Sequence, residues 1–230
     1  MKVKSLLYFT SAICLLSSQS LMAQFFTSEL HNEGQGGALH FKINPGEESI
    51  DGNPFINEEW KTGKVYFSKD AKPFELEKLN FSVYHNEVVY IENDSKMSVP
   101  NKNQIYAFTL GDDKFMGVIF NQKDKGFFKL LSTEGEIMVL ERSLCVIQKG
   151  EPPKGYIEGT KDSFAKRTEL YLMKTGHDAI KINPKKGEEE LNRIIESEEL
   201  FKFIKDNKLK MKKKEDLIEA VNYYNSKISS

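Results

Sequence analysis

Between Gly63 and Gln148 the chain runs through KVYF, PFELEKLNFSVY, VVYI, QIYAFTL, FMGVIF, GFFKLL, IMVL and LCVIQ. Each run is rich in aromatic or β-branched residues, and turn-forming stretches such as HNE, ENDSK, NKN, GDD and STEGE separate them. Short apolar runs with regular turn signals are the pattern of antiparallel strands. No stretch here keeps a helical spacing over ten or more residues. The expected class is α+β: an antiparallel β-sandwich or barrel-like domain over 63–148, then a hairpin and two C-terminal helices. In the second run Phe74 and Leu76 share one phase, while Leu79, Phe81 and Val83 share the other. A bulge near Glu77–Lys78 lets all five face one core. GFFKLLSTEGEIMVL reads as a hairpin with Glu134–Gly135 in its loop.

The flanks differ in kind. Residues 1–23 have Lys2 and Lys4, an apolar run from Leu6 to about Leu16, and a small-residue close at Ala23. This is the layout of a cleaved secretory signal peptide, and its apolar core is shorter than the ~20 residues a bilayer span needs. The expected location is therefore outside the cytoplasm, in a periplasm or at the cell surface, with no transmembrane segment in the mature chain. Residues 24–62 are dense in Gly, Asn and Pro and read as an irregular entry segment, in which ALHFKI forms one short strand. A Pro/Gly connector over 149–162 precedes the last part, 163–230, where ELYLMKTGHDAIKI forms a hairpin with Thr175–Asp178 at its tip. Leu191, Ile194, Ile195, Phe201 and Ile204 then fall on one helical face that stops at Asn207. A final helix begins near Lys213 or Lys214, with Leu217, Ile218, Val221 and Tyr224 on one stripe.

Five lysines lie within Lys208–Lys214. Leu209 and Met211 alternate with them, as in a short edge strand whose charges discourage sheet-to-sheet association. Nucleic-acid binding is not expected: without the signal the chain holds 31 basic and 34 acidic residues, which gives no global field for a polyanion. Cys145, the one cysteine outside the signal, sits in an apolar run and reads as a buried small hydrophobe. No cofactor or metal is expected, because His31, His40, His85 and His177 lack ligand spacing. No G-x-S-x-G elbow appears. The carboxylate pairs Glu47–Glu48 and Glu58–Glu59 read as solvated turns, and Glu188–Glu190 and Glu198–Glu199 as helix starts. Trp60, the lone tryptophan, reads first as filling the end of the core and second as a ligand platform.

GNPFINEEWKTGKVYF, LNFSVYHNEVVYI, GFFKLLSTEGEIMVLER and FIKDNKLKMKKKEDLIEAVNYYNS together resemble a group of uncharacterised exported proteins of Bacteroidetes-type bacteria. The resemblance spans Gly52 to Ser226 and implies an exported, β-rich architecture without an assigned activity. The expected function is a non-catalytic cell-envelope module that binds a protein, glycan or lipid partner. Its candidate surface residues are Trp60, Lys210, Lys212, Lys213, Lys214 and Tyr223. One alternative is a carrier of an apolar ligand, suggested by Phe115, Phe120, Phe127 and Phe128. The other is a hydrolase with dispersed catalytic residues.

Overall fold

A computed structural model describes residues 40–44, 46–120, 124–156 and 158–228. The expected signal peptide and the segment up to Leu39 lie outside the described residues. Ten antiparallel strands form one sheet: β1 (Lys61–Tyr66), β2 (Phe74–Ser82), β3 (Glu87–Glu92), β4 (Ser95–Ser98), β5 (Ala107–Leu110), β6 (Asp113–Phe120), β7 (Asp124–Leu130), β8 (Ile137–Gln148), β9 (Ser163–Lys174) and β10 (Ile180–Lys181). Their spatial order is β10-β9-β8-β7-β6-β5-β1-β2-β3-β4. The α+β class holds, and the strands form a single open sheet with β10 and β4 at its edges.

That sheet is strongly curled. Asp51 bridges Ser163 at the start of β9, and Phe55 bridges Ser82 at the end of β2. In a flat sheet β9 and β2 would stand six strand spacings apart, about 29 Å. The four residue steps from Asp51 to Phe55 span no more than about 14 Å. The ends of the sheet must therefore approach each other, and the entry segment stitches them. Asp51 N–H donates to Asp162 O (2.9 Å), Phe164 N–H to Asp51 O (2.9 Å) and Ile56 N–H to Phe81 O (2.8 Å). The Lys166 ammonium also donates to Phe55 O. The strand expected over ALHFKI is not seen among the described residues, where His40 makes only an isolated bridge to Met97.

Alternation along the strands builds a core on each face. Val65, Leu79, Phe81, Val88, Phe108, Phe115 and Phe127 pack on one, while Ala107, Met116, Phe120, Phe128, Leu140 and Tyr171 pack on the other. The bulge falls where the phase change demands it: Lys61 pairs with Leu79 but Gly63 with Leu76, so β2 carries one extra residue at Glu77–Lys78. The β7–β8 hairpin also forms, with Lys129 opposite Glu141 and Leu130 opposite Leu140. The Pro/Gly stretch is the loop of a second, longer hairpin, in which β8 and β9 pair over twelve residues from Ile137–Lys174 to Gln148–Ser163.

The C-terminal part departs from expectation in two places. Three helices replace the expected two: α1 (Gly187–Ile194), α2 (Glu198–Asp206) and α3 (Lys214–Ile228). The face drawn through Leu191, Ile195 and Ile204 is buried as one cluster, but the chain between is not continuous helix. Ile195 is extended (φ −125°, ψ 115°), and Ser197 Oγ accepts from Leu200 N–H at 3.2 Å as an N-cap that starts a new helix. The second correction concerns the lysine segment. Residues 207–213 form turns and not an edge strand, because Lys208 takes a left-handed φ of 54° and Leu209 N–H closes on Ile204 O. Leu209 and Met211 still point inward, onto the same cluster as Leu217, Ala220 and Val221 of α3.

Candidate functional site

The entry segment that stitches the sheet also shapes a concavity beside it. Asn53 Oδ1 accepts from Phe55 N–H (2.8 Å) and its amide donates to Asn57 O (3.2 Å), which folds residues 53–57 into a tight turn. From β2, Asn80 reaches the same turn. Its Nδ2 donates to Asn57 O at 3.0 Å, which explains how a fully buried amide is tolerated. Gly52, at φ +93°, sits against the backbone of Phe164. The result is a cleft of about 300 Å³ lined by Phe55, Trp60, Phe164, Glu48, Glu58 and Lys96, among others.

Trp60 fills the end of a small core, as expected, and also faces the cleft. It packs on Phe55 (centroids 5.3 Å), part of a small core with Phe41 and Val89, and its remaining surface lines the cleft. Lys96 places its ammonium 5.5 Å above the Phe55 ring. With Glu47, Glu48 and Glu58 against this one lysine, the lining carries more negative than positive charge.

Behind the cleft lies a constellation that spacing did not disclose. Ser82 Oγ is 2.8 Å from His85 Nδ1, and His85 Nε2 is 3.1 Å from Glu47 Oε2. Glu47 is thus not a solvated turn residue: its side chain is 8 % exposed. The serine–histidine–carboxylate order matches that of a nucleophilic triad. Ser82, however, is fully buried, so no substrate carbonyl can reach its hydroxyl. The imidazole is instead wedged between Phe41 and Tyr84 (centroids 4.9 and 5.0 Å), and its contact with Glu47 fastens the entry segment to the β2–β3 turn. Only the three-residue spacing of Ser82 and His85 was visible in sequence. Replacing His85 by Ala should leave the buried Glu47 carboxylate without its imidazole partner, at a cost of about 1–3 kcal/mol. Proteolysis near Gly46–Ile50 should accelerate accordingly. In a double-mutant cycle E47A/H85A should cost less than the sum of the singles; additive losses would show that the pair is not coupled.

The other expected surface residues are not brought to this cleft. Lys210, Lys212 and Lys213 are exposed on the α2–α3 turn. Lys214 is occupied by Glu141 on β8 (3.1 Å). Tyr223 lies nine residues along α3 from Lys214, roughly 14 Å away along the axis. Its ring is stacked on Phe203 (3.7 Å) and its hydroxyl donates to Glu199 (2.9 Å), a bond that raises the phenol's pKa. The phenylalanines that suggested an apolar cavity pack against other rings instead. Phe115 stacks on Phe108 at 4.8 Å on one face of the sheet, and Phe120 meets Phe128 edge-on at 5.6 Å on the other. Cys145 is half-buried on the first of these cores, and that burial raises its thiol's pKa, so it is an unactivated thiol. Among the described residues no three His, Cys, Asp or Glu side chains are grouped to hold a metal ion. No helix of the structure is long and apolar enough to cross a membrane. No protein-family model, curated protein or solved structure matches the chain.

Proposed function

We propose that the protein is an exported, non-catalytic binding module of the cell envelope, and that its ligand is a glycan held at the Trp60 cleft. One observation carries this reading: the cleft sets the flanks of Trp60, Phe55 and Phe164 beside Glu48, Glu58, Asn53 and Lys96. Aromatic surface suits the apolar face of a sugar ring, while carboxylates, amide and ammonium suit its hydroxyls. The acidic excess favours neutral or amine-bearing sugars over uronic acids. In this reading the curled sheet is a barrel-like scaffold whose seam, the entry segment, is also the binding wall. Export rests on the layout of residues 1–23 and on the resemblance of Gly52–Ser226 to exported envelope proteins.

The test uses a natural reporter. Trp60 is the only tryptophan of the chain, so indole emission reports on the cleft alone. Titration with neutral and N-acetylated oligosaccharides released from bacterial envelopes should quench or blue-shift that emission saturably. By calorimetry, Trp60→Ala should weaken the same binding at least about 10-fold, the effect of losing one aromatic contact of 1–2 kcal/mol. Emission unchanged by every such fraction would end the glycan reading.

A further inference from the structure

The α2–α3 turn carries a second surface, independent of the cleft. Leu209 packs on the helical core and Met211 is 5 % exposed within it, so the alternating Lys208, Lys210, Lys212 and Lys213 are driven outward. The turn is held from four sides. Leu209 N–H donates to Ile204 O (3.0 Å), Lys213 N–H to Lys210 O (2.7 Å) and Lys210 N–H to Asp216 Oδ2 (2.7 Å). Gly187 opens α1 directly against it: a Cβ there would stand 2.3 Å from Met211 O. Lys185 and Lys186 immediately precede Gly187 in the chain.

Some lysines elsewhere have carboxylate partners, as Lys64 has Glu75, Lys114 has Glu134 and Lys129 has Asp113, while scattered ones such as Lys61, Lys78 and Lys102 make no ion pair among the described residues. The α2–α3 turn is distinguished by how closely its unpaired lysines follow one another in the chain. Lys185, Lys208, Lys210, Lys212 and Lys213 are exposed and make no ion pair among the described residues. Of the acids nearby, Glu189 engages Arg193 and Lys186, Glu190 engages Arg193, and Asp216 caps the Lys210 amide, which leaves Asp206, Glu188 and Glu215. A fixed, exposed surface with more unpaired lysines than unpaired carboxylates remains.

We infer that this surface docks the protein on an anionic phospholipid bilayer. What the turn presents is a run of exposed lysines, so the ligand is read by charge. All the cations are lysines, which act as point charges and lack the fork geometry by which arginine grips one phosphate. Spread amines suit a plane of headgroups, each adding attraction at the membrane surface. Nucleic acid would call for stacking aromatics beside the cations, yet Tyr223 is already stacked on Phe203. Attachment through point charges at the headgroups is salt-sensitive.

Co-sedimentation of the purified protein with large vesicles tests this. Phosphatidylcholine vesicles containing phosphatidylglycerol should bind it at low salt and release it at high salt, while pure phosphatidylcholine should not bind it. The triple variant K210Q/K212Q/K213Q, with an unchanged melting temperature, should partition about 100-fold more weakly. K185Q/K208Q should show a smaller loss in the same direction, and its result decides if the triple variant is misfolded. Wild-type protein that ignores anionic vesicles overturns the inference, as does equal binding to zwitterionic ones, unaltered binding by folded variants, or tighter binding to duplex DNA or free phosphate than to vesicles.

Discussion

Deleting residues 215–230 should leave a protein that no longer melts cooperatively near the wild-type temperature. Leu217 and Val221 of α3 are buried to within 1 % and, with Ala220, cover Ile137, Val139 and Leu172 on the sheet and Leu200 and Ile204 on α2. Two such side chains contribute about 3–6 kcal/mol by burial alone. The polar contacts between α3 and the β7–β8 loop add about 3 kcal/mol. Together these approach the 5–15 kcal/mol that stabilises a typical domain. The truncated chain should bind a hydrophobic dye and lose near-ultraviolet dichroism over the helical half. The curled sheet is less exposed to the loss, because Phe81, Phe108, Phe115 and Phe127 form a core that α3 does not touch. A biphasic melt is therefore the expected signature. A truncated protein that melts within a degree or two of the intact chain would show that α3 is not part of the fold and is held for a partner.

What could be read from the sequence divides along a physical line. Features fixed by neighbours in the chain were legible. The phase change between Leu76 and Leu79 demanded the β2 bulge, and the apolar runs FMGVIF and GFFKLL marked β6 and β7 as paired strands. The burial of Leu209 and Met211 was visible from alternation too, but the same alternation also fits a turn once one residue enters the left-handed region, as Lys208 does. The break between α1 and α2 had its own signal, since Ser197 before Glu198–Glu199 is a capping sequence. A continuous apolar face from Leu191 to Ile204 masked it. Features made by distant residues were not legible. Glu47 looked like one more solvated carboxylate until the curl of the sheet carried it to His85, thirty-eight residues away. Trp60 could be assigned to core or cleft only once Phe55 and Phe164 were known to flank it.

Asn225 is the sharpest case of that second kind, and its replacement by Leu should be among the most damaging single substitutions in the chain. After Leu130 the β7 strand leaves the sheet, so the edge of β8 at Ile137 has no neighbour to continue its ladder. The Asn225 side chain supplies the missing amide: its Oδ1 accepts from Ile137 N–H at 3.1 Å and its Nδ2 donates to Ile137 O at 2.7 Å. One turn earlier Asn222 Oδ1 accepts from Thr133 N–H at 2.7 Å, so the two asparagines of NYYN clamp the β7–β8 loop. Asn225 is 4 % exposed, and a leucine of similar volume would leave a buried N–H and C=O unpaired, at about 3 kcal/mol. For a chain of this length that lowers the melting temperature by roughly 6–12 °C. Asn222→Ala, at a more exposed position, should cost about 1 kcal/mol. Gly135 gives an independent check. A Cβ at that position would lie 2.4 Å from Asn225 Cγ, so Gly135→Ala should expel the amide and cost nearly as much as Asn225→Ala. Once Asn225 is already alanine the clash has no object, and adding Gly135→Ala should be almost free. A cycle in which the two losses simply add would refute the insertion of the Asn225 amide at the end of β8.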